Sequence, residues 1–344
     1  MLITTKRITG VAAVALSLAL AVSGCGKGSG DSSDSGSKSS KAASVTFIPK
    51  NLGNPYFDTS DAGGKKAVEE FGGTYAQVGP QEASPDGQAQ YIDTEAQKHT
   101  SALVVSANDP KALCDSLNSA KDAGTKVVTF DADTNPKYRD LFINQASPDG
   151  IAKVQVDMIA GQVGDKGEIA ILSATANAAN QNAWIAIMKK ELAASHPNIK
   201  LVDTVYGNDD DQTSFDKTAA LLQKHPNLKG IVSPTTVGIA AAARYLSKSD
   251  SKGKVALTGL GTPNQMRKYV KDGTVTEFAL WNPEDLGYLA AYAADALVKG
   301  DIKGKEGDKF KAGKLGEFTV GKDGVVLLGD PFKFNKSNID KFKF

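Results

Sequence analysis

A chain of 344 residues, 41% hydrophobic and 23% charged, has the composition of a globular body large enough for two domains. Forty basic side chains against 39 acidic ones leave a formal charge of +1, and no long basic block offers a footprint for nucleic acid. With two cysteines, Cys25 and Cys114, the fold cannot depend on a disulfide framework.

The first element is an export signal. Lys6 and Arg7 form a positive region, and Ile8 to Ala21 is a mostly apolar run too short to span a bilayer as a permanent helix. Val22-Ser23-Gly24-Cys25 follows and looks like a bacterial lipobox, in which the cysteine thiol takes a diacylglycerol. Residues 1–24 are therefore expected to be a lipoprotein signal peptide, with the chain lipid-anchored through Cys25 to the outer face of the cell membrane. Residues 25–43, almost entirely Gly, Ser, Asp, Lys and Ala, read as a flexible linker. Cys114 is then unpaired and is expected to be a small buried apolar residue.

Strand and helix patterns alternate from there. Runs rich in β-branched and apolar residues predict strands at 45–48, 74–78, 102–106, 126–130 and 141–143, separated by helical stretches at 59–71, 86–98 and 111–123. Asp109 before Pro110 marks the start of the third helix and Gly124 its end. The pattern restarts with strands at 168–172, 201–205, 230–233, 255–258 and 277–280, and helices at 180–195, 214–224, 238–247 and 265–272. A helix at 284–299, opened by Asn282-Pro283, precedes a tail with one late strand pair, 317–320 with 325–328. Such alternation predicts an α/β fold, two Rossmann-like lobes of parallel sheet flanked by helices.

In open α/β sheets, ligands bind beyond the carboxyl ends of the strands. The first set of strands leads there to Lys50, Asn51, Asn54, Tyr56 and Phe57, then to Asp131 and Asp133, then to Asn144 and Gln145. The second set leads to Asn180, Gln181 and Trp184, to Asn208, to Pro234, Thr235 and Thr236, and to Trp281 and Asn282. Amides, hydroxyls, a lysine and a few acids among aromatics suit a polyhydroxylated ligand: ring faces stack on C–H-rich sugar faces, and the polar groups pair with hydroxyls.

The segments Pro49-Lys50-Asn51-Leu52-Gly53-Asn54-Pro55-Tyr56-Phe57, Phe130-Asp131-Ala132-Asp133, Asn180-Gln181-Asn182-Ala183-Trp184 and Gly261-Thr262-Pro263-Asn264 resemble the periplasmic binding protein type I superfamily. Within it, the chain from Val45 to Phe344 is most similar to the rhamnose-binding and autoinducer-2-binding subgroup of ABC-importer components. The resemblance implies a three-segment hinge, with residues 44–145 plus 283–314 as the first lobe and 146–282 plus 315–344 as the second. It implies a monomer that closes on a small-molecule sugar and docks on ABC permease subunits, with no cofactor, no metal and no catalysis. Lys50, Asp131, Gln181 and Pro234 match polar contacts of the autoinducer-2 receptors, with Trp281 and Phe57 as apolar walls. Asn180 and Asn282 stand where those receptors carry acids, and Thr236 where they carry alanine. These departures favour L-rhamnose; the alternatives are autoinducer-2 or another pentose or deoxyhexose.

Other chemistry has weaker support. His99, His196 and His225 lie at helix ends without metal-ligand spacing. Asp209-Asp210-Asp211 reads as a solvated N-terminal helix cap, because it lacks the alternating oxygen ligands of a calcium loop. A glycosidase acting through Asp131 and Asp133 is the least favoured reading, since alternate residues leaving a strand point to opposite sides.

Overall fold

The computed structural model describes residues 43–344, so the signal peptide, Cys25 and the linker up to residue 42 lie outside the described residues. Ala43, expected as the end of the linker, is instead already docked: it is buried, and its carbonyl accepts from the Thr74 amide.

Two parallel sheets form the frame. The first takes β1 (Ser44–Ile48), β2 (Thr74–Gln77), β3 (Ala102–Val105), β4 (Lys126–Phe130) and β5 (Leu141–Asn144). Its spatial order is β13-β5-β4-β3-β1-β2, every pair parallel, where β13 (Val325–Leu327) comes from the tail. The second contains β6 (Gly167–Ser173), β7 (Ile199–Tyr206), β8 (Leu228–Ser233) and β9 (Ala256–Gly259) in the order β7-β6-β8-β9. A bridge from Leu260 to Ala279 attaches β10 (Glu277–Leu280), which pairs antiparallel with β14 (Phe332–Asn335).

The helices cover both faces. They are α1 (Pro55–Glu70), α2 (Pro85–Gln97), α3 (Cys114–Asp122), α4 (Pro148–Val163), α5 (Ala179–Ser195), α6 (Asp211–Lys224), α7 (Thr236–Leu246), α8 (Pro263–Lys271) and α9 (Pro283–Lys299). Fully apolar strands such as Ala102–Val105 follow from this, because a strand covered on both faces has no side for water. Helix α9 packs on α1 and lies along β3, β4 and β5, so the strand-helix pattern after β10 returns to the first sheet.

Five expectations change. Helix α4 is not among the expected helices. The helix expected from residue 111 begins at Cys114, because the Asp109 carboxylate accepts from the Lys111 and Ala112 amides and closes a turn first. Cys114 is partly exposed, not buried. The late strand pair does not exist: β12 (Glu317–Thr319) pairs with β11 (Lys309–Lys311), whereas β13 joins β5. The tail therefore stays with the first sheet to Leu327 and crosses to the second before Phe332, rather than at residue 315.

Candidate functional site

The carboxyl ends of the two sheets face a tight, partly open cavity of about 40 Å³. Of the residues expected from sequence, Lys50, Asn54, Tyr56, Phe57, Asp131, Gln181, Trp184, Pro234, Thr235, Thr236 and Trp281 line it; Asp209, Leu260 and Leu280 complete the wall.

The floor on the first-sheet side is a hydrogen-bonded relay. Asp131 follows β4 with a left-handed backbone, φ +60°, a conformation that non-glycine residues adopt at a cost. That turn brings its carboxylate under Tyr56 and Ser106: Tyr56 Oη donates to Oδ1 at 3.2 Å and Ser106 Oγ to Oδ2 at 2.8 Å. Trp281 Nε1 donates to Tyr56 Oη at 2.9 Å. Burial pushes the Tyr56 hydroxyl well above the usual tyrosine range, and the Asp131 charge pushes it further. Tyr56 is thus a permanent donor. Lys50 Nζ lies 3.5 Å from Asp131 Oδ2 and donates to Asn180 Oδ1 at 3.4 Å.

Lys50 is held by a residue that sequence reasoning missed. Gln88, fully buried on α2, donates to the carbonyls of Ile48, Pro49 and Ser106 and accepts from the Asn108 amide. Asn108 in turn donates to the Lys50 carbonyl at 2.8 Å. This ties the loops after β1 and β3 into one unit. A glutamine on a helix gives no local sign of such a role.

The opposite wall comes from the second sheet. Gln181, at the start of α5, accepts on Oε1 from Ser173 Oγ at 2.6 Å and from the Ala174 amide at 2.9 Å. Its amide NH2 is thereby turned to the cavity as a donor. Asp209 follows β7 and accepts from Thr235 Oγ1. Burial raises the Asp209 carboxyl above the ordinary range; the Thr235 hydrogen bond and Lys50 work against that rise. The cap reading therefore divides: Asp210 caps α6 by accepting from the Thr213 amide, whereas Asp209 belongs to the cavity.

Rings close the remaining sides. Tyr56 meets Phe57 edge-on at 5.1 Å and Trp281 at 6.1 Å, and Trp184 meets Trp281 at 6.1 Å. These tilted contacts fix each ring by its neighbours.

Seven expected residues lie outside the wall. Asn51 and Asn208 line an outer cleft of about 990 Å³ that shares Asn54 and Asp209 with the cavity. Asp133 is taken by Arg139, whose Nε and Nη2 reach its two oxygens at 2.7 and 2.8 Å, and by Thr129. Asn144 ends β5 and accepts on its carbonyl from Leu328, and Gln145 is fully buried. Asn282 caps α9 by accepting from the Glu284 amide and donates to Asp285. Asn180 bridges the halves, accepting from Lys50 and donating to the Asp131 carbonyl at 3.3 Å. Among the described residues no cluster of His, Cys, Asp or Glu could hold a metal, and no helix is long and apolar enough to cross a membrane. His196 and His225 follow α5 and α6 as their C-terminal caps.

The periplasmic binding protein domain family matches residues 45–302. A solved sugar ABC transporter protein from Actinomyces odontolyticus is 56% identical over 88% of this chain and 98% of its own, with a TM-score of 0.71. An ABC transporter solute-binding protein from Clostridium phytofermentas, solved with bound L-rhamnose, is 37% identical over 88% of this chain and 98% of its own, with a TM-score of 0.85. LsrB from Clostridium saccharobutylicum, solved in complex with AI-2, is 27% identical over 87% of this chain and 99% of its own, with a TM-score of 0.82.

Proposed function

Because the chain belongs to the periplasmic binding protein domain family, whose members bind solutes rather than transform them, we propose that it captures a monosaccharide in the cleft between its two sheets and delivers it to an ABC permease. The observation that carries this reading is the cavity wall. It combines aromatic faces with groups whose hydrogen-bonding capacity the protein leaves open, the Gln181 amide, the Lys50 ammonium and Asp209. This is the balance a hydroxyl-rich ring needs.

L-rhamnose is the favoured ligand, with autoinducer-2 as the alternative. Thr236 narrows the cavity and adds a hydroxyl, and the methyl of a six-carbon deoxysugar suits the apolar members of the wall, Leu260, Leu280 and Trp184. The relative solved with L-rhamnose supports this choice. Calorimetric titration tests it: L-rhamnose is expected to bind at micromolar strength or tighter, and autoinducer-2 binding with silent L-rhamnose would overturn it.

The body acts as a monomer made of two lobes that hinge shut on the ligand. Residues 25–42 tether it to the outer face of the membrane through acylated Cys25. Mass spectrometry of the mature N-terminus tests the anchor, which predicts a diacylglyceryl cysteine there and release of a Cys25→Ser chain into the medium.

A further inference from the structure

Two carboxylates line the cavity, and their capacity is spent differently. Asp131 is occupied on both oxygens: Tyr56 Oη fills one, and Ser106 Oγ with Lys50 Nζ fills the other. Asp209 receives one donor, Thr235 Oγ1 on Oδ1, and among the described residues no donor or cation reaches Oδ2. Asp209 is half-buried, so this oxygen is open to a donor that enters the cavity.

The backbone is built to put Asp209 there. Asn208 and Asp209 are successive left-handed residues, φ +58° and +52°, in place of the glycines that this conformation favours. The double turn carries the chain from the end of β7 into α6, so that Asp210 caps the helix while Asp209 faces inward. Asp209 also stands at the boundary where the cavity opens into the outer cleft.

Taking the sugar-binding reading as its basis, we propose that Asp209 is the specificity-determining acid of the cleft, its Oδ2 accepting the hydrogen of one particular ligand hydroxyl while Thr235 holds the carboxylate in place. Asp131 then acts mainly as a scaffold that orients Tyr56 and Lys50. Two carboxylates against one lysine also set the ligand class as neutral sugars, because a uronate or sugar phosphate would bring a like charge against Asp209. The upward push that burial gives the Asp209 carboxyl agrees with a group that waits for a donor.

Calorimetry of the purified protein and its Asp209→Asn variant, both checked for folding by thermal melts, tests the assignment. The panel is L-rhamnose, autoinducer-2, D-ribose, D-arabinose and D-galacturonate, followed by the monodeoxy analogues of whichever sugar binds tightest. The variant is expected to lose tenfold or more on that sugar, as fits a hydrogen bond to a charged group, and under twofold on the one analogue that lacks the hydroxyl Asp209 takes. The wild type is expected to lose at least tenfold on that same analogue, a comparison that holds even if the variant does not fold. Unchanged affinity in Asp209→Asn, an equal loss on every analogue, or preferential binding of D-galacturonate would overturn the inference and leave sugar binding standing. A wild type silent to the whole panel would instead sink the sugar-binding reading, and this assignment with it.

Discussion

Asp131 joins three partners, Lys50 in the loop after β1, Ser106 in the loop after β3 and Tyr56 in the first turn of α1, which makes it the residue through which the first-sheet half of the cavity is kept in register. Asp131→Asn exchanges one acceptor oxygen for a donor that faces either Tyr56 or Ser106, both donors themselves. Affinity for the bound sugar is expected to fall by about 1–3 kcal/mol, roughly five- to 150-fold, while the protein still folds; calorimetry beside a melting curve checks both halves of that statement. A second acid acts on stability instead. Asp61 on α1 is buried, with Gln77 donating at 2.5 Å and Ser60 at 3.1 Å, and burial raises its carboxyl to about 7. A raised acid is favoured in its protonated form by the fold. Its contribution is therefore complete below about pH 4 and is lost as pH rises through 7. Over about three pH units this amounts to at most ~4 kcal/mol. Urea unfolding of wild type and Asp61→Asn between pH 4 and 8 should show the wild type losing stability relative to the variant as pH rises; parallel curves would refute the role assigned to Asp61.

The pairing of α1 with α9 shows what an element demands of its sequence. The two helices approach so closely that a Cβ on Gly287 would stand 1.7 Å from the Ser60 carbonyl oxygen, and one on Gly63 would stand 1.9 Å from the Glu284 carbonyl oxygen. Backbone meets backbone at both points, so neither clash can be relieved by a side-chain rotation. Gly287→Ala is expected to cost about 2–3 kcal/mol despite the better helix propensity of alanine, measured as a shift in the urea midpoint; a neutral or stabilising outcome would contradict this packing. The strands were legible because apolar runs bounded by turns are local signals, and most helices because their polar faces repeat. Helix α4 was hidden for a physical reason. Ile151, Ala152, Gln155, Val156, Met158, Ile159 and Ala160 are all buried, between α5 and the strands β8, β9 and β10, so no broad polar stripe marks it. The partner of β13 was equally invisible. Val325 to Leu327 pair with Phe142 to Asn144, far back in the chain, and no local pattern encodes so distant a choice.

At the scale of the whole molecule, the polar contacts that span the cleft between the two halves are few among the described residues. Lys50 reaches Asn180, Asn180 reaches the Asp131 carbonyl, Trp281 reaches Tyr56, and at the rim Asn177 reaches Asp109 at 3.3 Å. The candidate site was largely readable from strand ends, since topology puts those ends together, but sequence could not separate residues that face the cavity from those that tie its walls to each other. Asn180 is the instructive case: besides accepting from the Gln181 amide of its own helix, its side chain reaches the opposite half once as acceptor and once as donor, and it belongs to the closure of the cleft more than to its lining. Removing it should therefore act on the lifetime of the closed state rather than on which sugar is chosen. Asn180→Ala is expected to raise the dissociation rate about three- to thirtyfold, the equivalent of losing one neutral and one long, weak charged hydrogen bond, with little change in association rate, since related variants of one interface differ mainly in how fast they let go. Trp184 and Trp281 sit in the wall and meet each other edge-on, so their fluorescence reports the event directly in stopped flow. A changed order of preference among sugars, with an unchanged dissociation rate, would instead place Asn180 among the groups that read the ligand.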